Sequence, residues 1–362
     1  GAPDTAPAVR DMATISLRPR LPRPAQARTI GSGNAAARMS PQRAQNEGAD
    51  AMSRTEPTVL QIADGDLAVR LAGDRRSPAL LLIHGFPSSS TTFRDVMEPL
   101  ARDCFVIAPD LPGFGASAPI DRPSFARFAD RIEALLARLG VETFHLYLHD
   151  YGAAVGLHLA TRAPQRIRSL VIQNANAHDS GMGAQWAATR AFWDDPTPAR
   201  EAEATAHLTF AGTRGQYVDG VPRDIAERID PRRWEEDWRI LLLPGRLETQ
   251  RALVLDYRNH VARFAEIAAY LERRQPAALL LWGRHDPFFD LAETLSWMKA
   301  LPRLEAHVLD GPHFLLETHA GECAALMSTF FRRVDARQRI CRRSKQAAAP
   351  HAGHRDRLQA AE

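Results

Sequence analysis

Three residues of the 362-residue chain have types and positions suited to nucleophilic chemistry, and each follows a segment that reads as a strand. Asp150 follows FHLYLH (144–149) and enters a helix-compatible stretch at once. Asp286 comes just after LLLWG (279–283), and His313 just after EAHVLD (305–310). Parallel sheets bind ligands beyond the carboxyl ends of their strands, so the three are expected at one edge. A carboxylate that attacks an ester would form an energy-rich anhydride, which makes it a poor esterase nucleophile. It suits attack on saturated carbon bearing a halide or an epoxide oxygen, with a covalent ester as product. His313, oriented by Asp286, would then activate water against that ester.

The elements that must position these residues are legible as an alternation. VLQIADGDLAVRLAG (59–73) reads as two strands about Asp64-Gly65, a hairpin signal. ALLLIH (79–84) and CFVIAPD (104–110) are continuous apolar runs of the kind that parallel strands buried on both faces require. Helical spacing is expected over 93–102, 124–139, 152–163, 290–300 and about 314–331, with a further strand at 167–172. This predicts an α/β fold with a mostly parallel sheet flanked by helices. From 174 to 274 no strand is convincing, and that interval holds four of the six Trp. About a hundred residues exceeds any simple crossover, so an inserted helical cap is expected there. The core is then 56–173 together with 275–334. Residues 1–55 and 335–362 read as a disordered extension and a basic loose tail, because neither carries enough apolar pattern to offset its ordering entropy.

Composition excludes several function classes. Of the net charge of +3, residues 1–55 hold +4 and residues 332–362 hold +6, which leaves the body at −7. The basic character belongs to the ends, so nucleic acid is not expected as a partner. No run approaches the ~20 apolar residues of a membrane helix, so membrane insertion is not expected. Cys104, Cys323 and Cys341 are too few and too scattered for a disulfide framework, which suits a reducing, cytoplasmic compartment. No phosphate loop, metal cluster or dinucleotide fingerprint occurs, so neither metal nor cofactor is expected.

The segments HGFPSSSTTFRDVMEPLA, APDLPGFGAS, LYLHDYGAAVGLHLA, LLLWGRHDPFF and DGPHFLLETH occur in this order between residues 84 and 319. Residues 56–334 thereby resemble α/β-hydrolase fold enzymes of the haloalkane dehalogenase and epoxide hydrolase group. The resemblance implies the triad order nucleophile, acid, histidine for Asp150, Asp286 and His313. It implies an oxyanion hole from the backbone N–H groups of Phe86 and Tyr151. Alone, an Asp after a strand is commonly a helix N-cap, and collinearity of the five segments favours the catalytic reading. Two departures stand out: Leu148 replaces the first Gly of the nucleophile turn, and Tyr151 replaces the Trp that steadies the leaving halide in dehalogenases.

Residues of the cap decide between chemistries. LDYRNH (255–260) resembles the segment that carries a proton-donating tyrosine in epoxide hydrolases, which makes Tyr257 a candidate, with Tyr217 as its weaker-matched partner. An alkoxide leaves badly without a proton, whereas a halide needs only solvation. Trp186 and Trp193 are candidate leaving-group contacts, though cap tryptophans more often form core. The expected substrate is small, apolar and organic. Epoxide hydrolysis is the leading reading, with a haloalkane or haloacid dehalogenase second and a non-catalytic binding protein on the same fold third.

Overall fold

The computed structural model describes residues 57–63 and 65–347; the expectations for residues 1–55 and for 348–362 lie outside them. One eight-stranded sheet runs through the molecule in the order β1-β2-β4-β3-β5-β6-β7-β8. Its strands are β1 (Thr58–Ile62), β2 (Gly65–Ala72), β3 (Ala79–Ile83), β4 (Phe105–Pro109), β5 (Phe144–His149), β6 (Ile167–Gln173), β7 (Ala278–Gly283) and β8 (Glu305–Leu309). Strand β2 pairs antiparallel with both of its neighbours, and every other pairing is parallel. The sheet is thus mostly parallel, as the apolar runs predict.

Each central strand is buried on both faces. Along β3, Leu81 and Ile83 enter one apolar layer while Leu80 and Leu82 enter the other. Helices α1 (Arg94–Ala101) and α12 (Leu316–Ala347) contact each other, and their buried apolar residues belong to the second layer. Helices α2 (Phe125–Arg138) and α3 (Tyr151–Arg162) belong to the first. A bidentate pair joins the second layer's helices, with Arg94 Nη1 and Nη2 at 2.9 and 2.5 Å from the Glu317 carboxylate.

Between β6 and β7 the regular elements are helical: α4 (Ala187–Asp194), α5 (Pro198–Ala204), α6 (Phe210–Val218), α7 (Arg223–Ala226), α8 (Arg232–Leu241), α9 (Arg246–Ala262) and α10 (Phe264–Arg274). Helix α11 (Ala292–Ala300) then precedes β8. The fully buried Glu293 on α11 accepts hydrogen bonds from Ala177 N (2.8 Å), His178 N (3.1 Å) and Ser180 Oγ (2.7 Å). This carboxylate fastens the start of the helical segment to the core.

The expectation of a loose tail from 335 is corrected. Helix α12 continues to Ala347, with one non-helical residue at His319. The continuation has a physical cause in Asp335, which is buried, forms an ion pair with Arg168 and lies 3.2 Å from Nε2 of His145, whose imidazole burial keeps neutral. Two partners from β5 and β6 hold a segment whose own pattern is too polar to predict a packed helix.

Candidate active site

The turn after β5 forces Asp150 into an uncommon backbone conformation, φ 50° and ψ −124°. A non-Gly residue with positive φ is costly and recurs where function requires the exposure it gives. Two glycines make room for the turn. A Cβ on Gly152 would lie 2.2 Å from the Ile83 carbonyl, and one on Gly85 would lie 2.3 Å from Asp150 Cβ. The departure at Leu148 is accommodated, since Leu148 points into the first apolar layer.

The Asp150 carboxylate is almost enclosed. Its Oδ1 accepts a hydrogen bond from Phe86 N at 2.7 Å. Burial raises its pKa above the usual carboxylate range, against the opposing pull of His313 and of the Phe86 and Tyr151 backbone N–H groups. Two backbone donors therefore already face this carboxylate. The same pair would meet the oxygen of a tetrahedral intermediate built on that carboxyl carbon.

His313 lies beside it, with Nε2 3.9 Å from Asp150 Oδ2 and Nδ1 2.7 Å from Asp286 Oδ2. Burial disfavours the imidazolium, but the Asp286 charge and hydrogen bond, with Asp150 beyond, outweigh it and raise the pKa. Asp286 is itself fixed on all sides. Its Oδ1 accepts from Phe288 N (2.7 Å) and Phe289 N (3.0 Å), and Oδ2 from Asn174 Nδ2 (2.8 Å). Such second partners lock the rotamer of an orienting group. Asn174 is a residue that sequence reasoning missed. It stands at the end of β6 with φ 39°, and its amide also bridges Gly283 N and O. The signal was its place at another strand end, in VIQNANA. Gln173 was missed likewise; its Nε2 donates to the His313 carbonyl at 3.2 Å. His149 and His84 are buried, and burial holds both pKa values down. His84 Nε2 accepts from Leu111 N, which fits a role in shaping the turn.

A cavity of about 170 Å³ opens over Asp150, lined among others by Phe86, Tyr151, Trp186, Tyr257, Phe288 and Phe289. Tyr257, on α9, is buried between Trp186, with ring centroids 4.7 Å apart, and Tyr151, at 6.0 Å. Burial, and then the negative charge of Asp150, push its phenol well above the ordinary value. Tyr257 therefore keeps its proton at neutral pH.

The remaining candidates fall elsewhere. Tyr217 does not line this cavity; its hydroxyl donates to Asp237, and its ring stacks on Phe314 at 4.2 Å. The placing of Tyr217 as a second donor to substrate is corrected on that ground. Trp186 contributes its ring to the wall, but its Nε1 donates to the Phe288 carbonyl at 2.8 Å. Trp193 Nε1 donates to the Val254 carbonyl, also at 2.8 Å. Both indole N–H groups are spent on backbone, so neither serves as a leaving-group contact as expected. Gln185, Thr189, His207 and Gln216 also line the cavity and had been missed, because no strand end or sequence pattern marks them. Among the described residues no cluster of His, Cys, Asp and Glu has the geometry to hold a metal ion, and no helix is long and apolar enough to cross a membrane.

Comparison with known proteins agrees with this architecture. The model of the alpha/beta hydrolase fold family matches residues 78–320. An uncharacterized hydrolase of Saccharomyces cerevisiae is 33% identical over 279 residues, covering 75% of this chain and 96% of that protein. Among solved structures, the haloalkane dehalogenase DbeA from Bradyrhizobium elkani superposes with a TM-score of 0.59 at 24% identity, covering 77% of this chain and 98% of that one. The epoxide hydrolase CorEH superposes with a TM-score of 0.60 at 21% identity, covering 77% and 99%. With an Asp-His-Asp constellation at the carboxyl edge of this sheet and these relatives, the chain belongs to the α/β hydrolase fold family and is a hydrolase.

Proposed function

We propose that the protein is an epoxide hydrolase that works through a covalent ester on Asp150. The observation that carries this reading is the pairing of Tyr257 with two occupied indoles. A protonated phenol lies in the wall of the cavity above Asp150, while the Trp186 and Trp193 N–H groups that could solvate a halide are bonded to carbonyls. In the first step an Asp150 oxygen attacks an epoxide carbon, the carbon–oxygen bond breaks, and the alkoxide takes the Tyr257 proton. In the second, His313 removes a proton from water as the water oxygen attacks the ester carbonyl. Phe86 and Tyr151 N–H groups hold the oxyanion. Collapse returns the His313 proton to the departing alkoxide and frees the diol. The new carboxylic acid of Asp150 gives its proton back to the Tyr257 phenolate, so epoxide plus water balances diol.

A dehalogenase would use the same Asp150 and His313. The Tyr151 hydroxyl, with no hydrogen bond among the described residues, would be left as its halide donor. A haloacid is less suited still, because no Arg or Lys lines the cavity to meet a carboxylate. The test is a panel of epoxides and haloalkanes assayed for diol and for halide, with one single-turnover reaction in heavy-oxygen water. Diol should form, Asp150→Asn should abolish it, and the label should enter Asp150 before product. Halide release without diol would establish the dehalogenase reading, and label in the first product would remove Asp150 as nucleophile.

A further inference from the structure

The cavity wall is more polar than a site for plain hydrocarbons requires. Gln216, on α6, is only 8% exposed and lines the cavity. Among the described residues its side-chain amide has no hydrogen-bond partner. Its amide atoms are not sealed from solvent, unlike those of Gln250, so they face the cavity, where water or a ligand completes their hydrogen bonding. His207 lines the same cavity, with its ring edge-on to Phe86 at 5.5 Å and an interplanar angle of 89°. The Ala204 carbonyl engages its ring, and burial keeps the imidazole neutral. Gln185 and Thr189 add two more uncharged polar groups. Of the lining residues only Asp150 is charged at neutral pH, and its role is already taken.

We infer that the cavity takes neutral epoxides bearing an oxygen acceptor, ether or carbonyl, beyond the ring, and that Gln216 recognises that oxygen. This narrows the small apolar substrate expected from sequence, and it rests on the epoxide reading above. The amide N–H of Gln216 donates to the substrate oxygen. A methylene in that place leaves the amide unpaired, and such sites discriminate strongly against the analogue that lacks the polar atom.

Methyl glycidyl ether and 1,2-epoxypentane test this, since they differ by an oxygen in place of a methylene at nearly equal size. Both are titrated against Asp150→Asn, with and without Gln216→Leu, by the change in Trp fluorescence, so that binding is read without turnover. The ether should bind about tenfold more tightly, and Gln216→Leu should bring the ratio close to one. Equal affinities in the parent, or a preference that survives Gln216→Leu, would each overturn the inference. Diol formation by the unsubstituted protein is scored separately, so that failure of the epoxide reading is distinguished from failure of this one.

Discussion

Tyr257 is the residue on which the chemistry turns. Its ring is held by Trp186, Trp193, Phe125 and Tyr151, so Tyr257→Phe removes a hydroxyl and leaves the packing in place. A general acid contributes about 10²–10⁴-fold, and alkylation of Asp150 by an epoxide should slow by that factor while the Tm stays nearly constant. Rapid-quench measurement of the alkylation step checks this; an unchanged rate would mean that another group protonates the alkoxide. At this scale the placement of Asp150, Asp286 and His313 was legible, because each lies at or just beyond the end of a segment that reads as a strand. The states of the two indole N–H groups were not. Their partners are the carbonyls of Phe288 and Val254, 102 and 61 residues away in the chain, and no local pattern records such a pairing. Tyr217 was misplaced for the same reason: its partner Asp237 sits on another helix of the insertion.

At the scale of elements, the strands and four of the helices that flank the sheet, α1, α2, α3 and α11, were readable to within about two residues, whereas the seven helices α4–α10 were expected only as a helical insertion without individual bounds. The exception was α12, where the sequence after Val334 loses its apolar stripe. What holds that stretch is Asp335, between Arg168 and His145. Asp335→Ala should therefore leave a half-buried guanidinium short of its partner and lower stability by about 2 kcal/mol. Urea denaturation measures this directly, and turnover by the folded fraction should persist, since Asp335 lies at the opposite end of the strands from Asp150. A change below about 0.5 kcal/mol would reduce the pair to a surface ornament.

For the whole molecule, the charge pattern and the buried charges set the response to pH. Burial pushes Asp237 up to about 7, with the Tyr217 hydrogen bond opposing that rise. A carboxyl raised above its unfolded value of 3.8 binds its proton more tightly in the folded state. The contribution of Asp237 to stability therefore declines as pH rises from about 4 to about 7 and is flat above. A tenfold difference in proton affinity between the folded and unfolded states corresponds to about 1.4 kcal/mol. Asp237→Asn keeps an acceptor for Tyr217 and carries no charge, so it should stabilise the protein at pH 8 by a few kcal/mol, an advantage that shrinks as pH falls from 7 to 4. Denaturation of parent and variant at several pH values checks this, and a difference between them that stays constant over that interval would exclude it. The acidic body between two basic ends was visible from composition alone, but which carboxyl would be buried away from a countercharge was not, because that depends on how α6 and α8 meet.

The course of α12 has a practical consequence. It starts three residues after His313, at the catalytic edge, and passes Asp335, which pairs with residues at the starts of β5 and β6. Cys341 lies 22 residues beyond His319, or about 33 Å along a helix. Its thiol is exposed, whereas Cys104 and Cys323 are buried and burial raises both of their pKa values to about 12. A maleimide or a gold surface would thus take hold of the molecule at one point, far from the opening over Asp150. An immobilised layer made in this way would present its mouths outward, to the flowing solution.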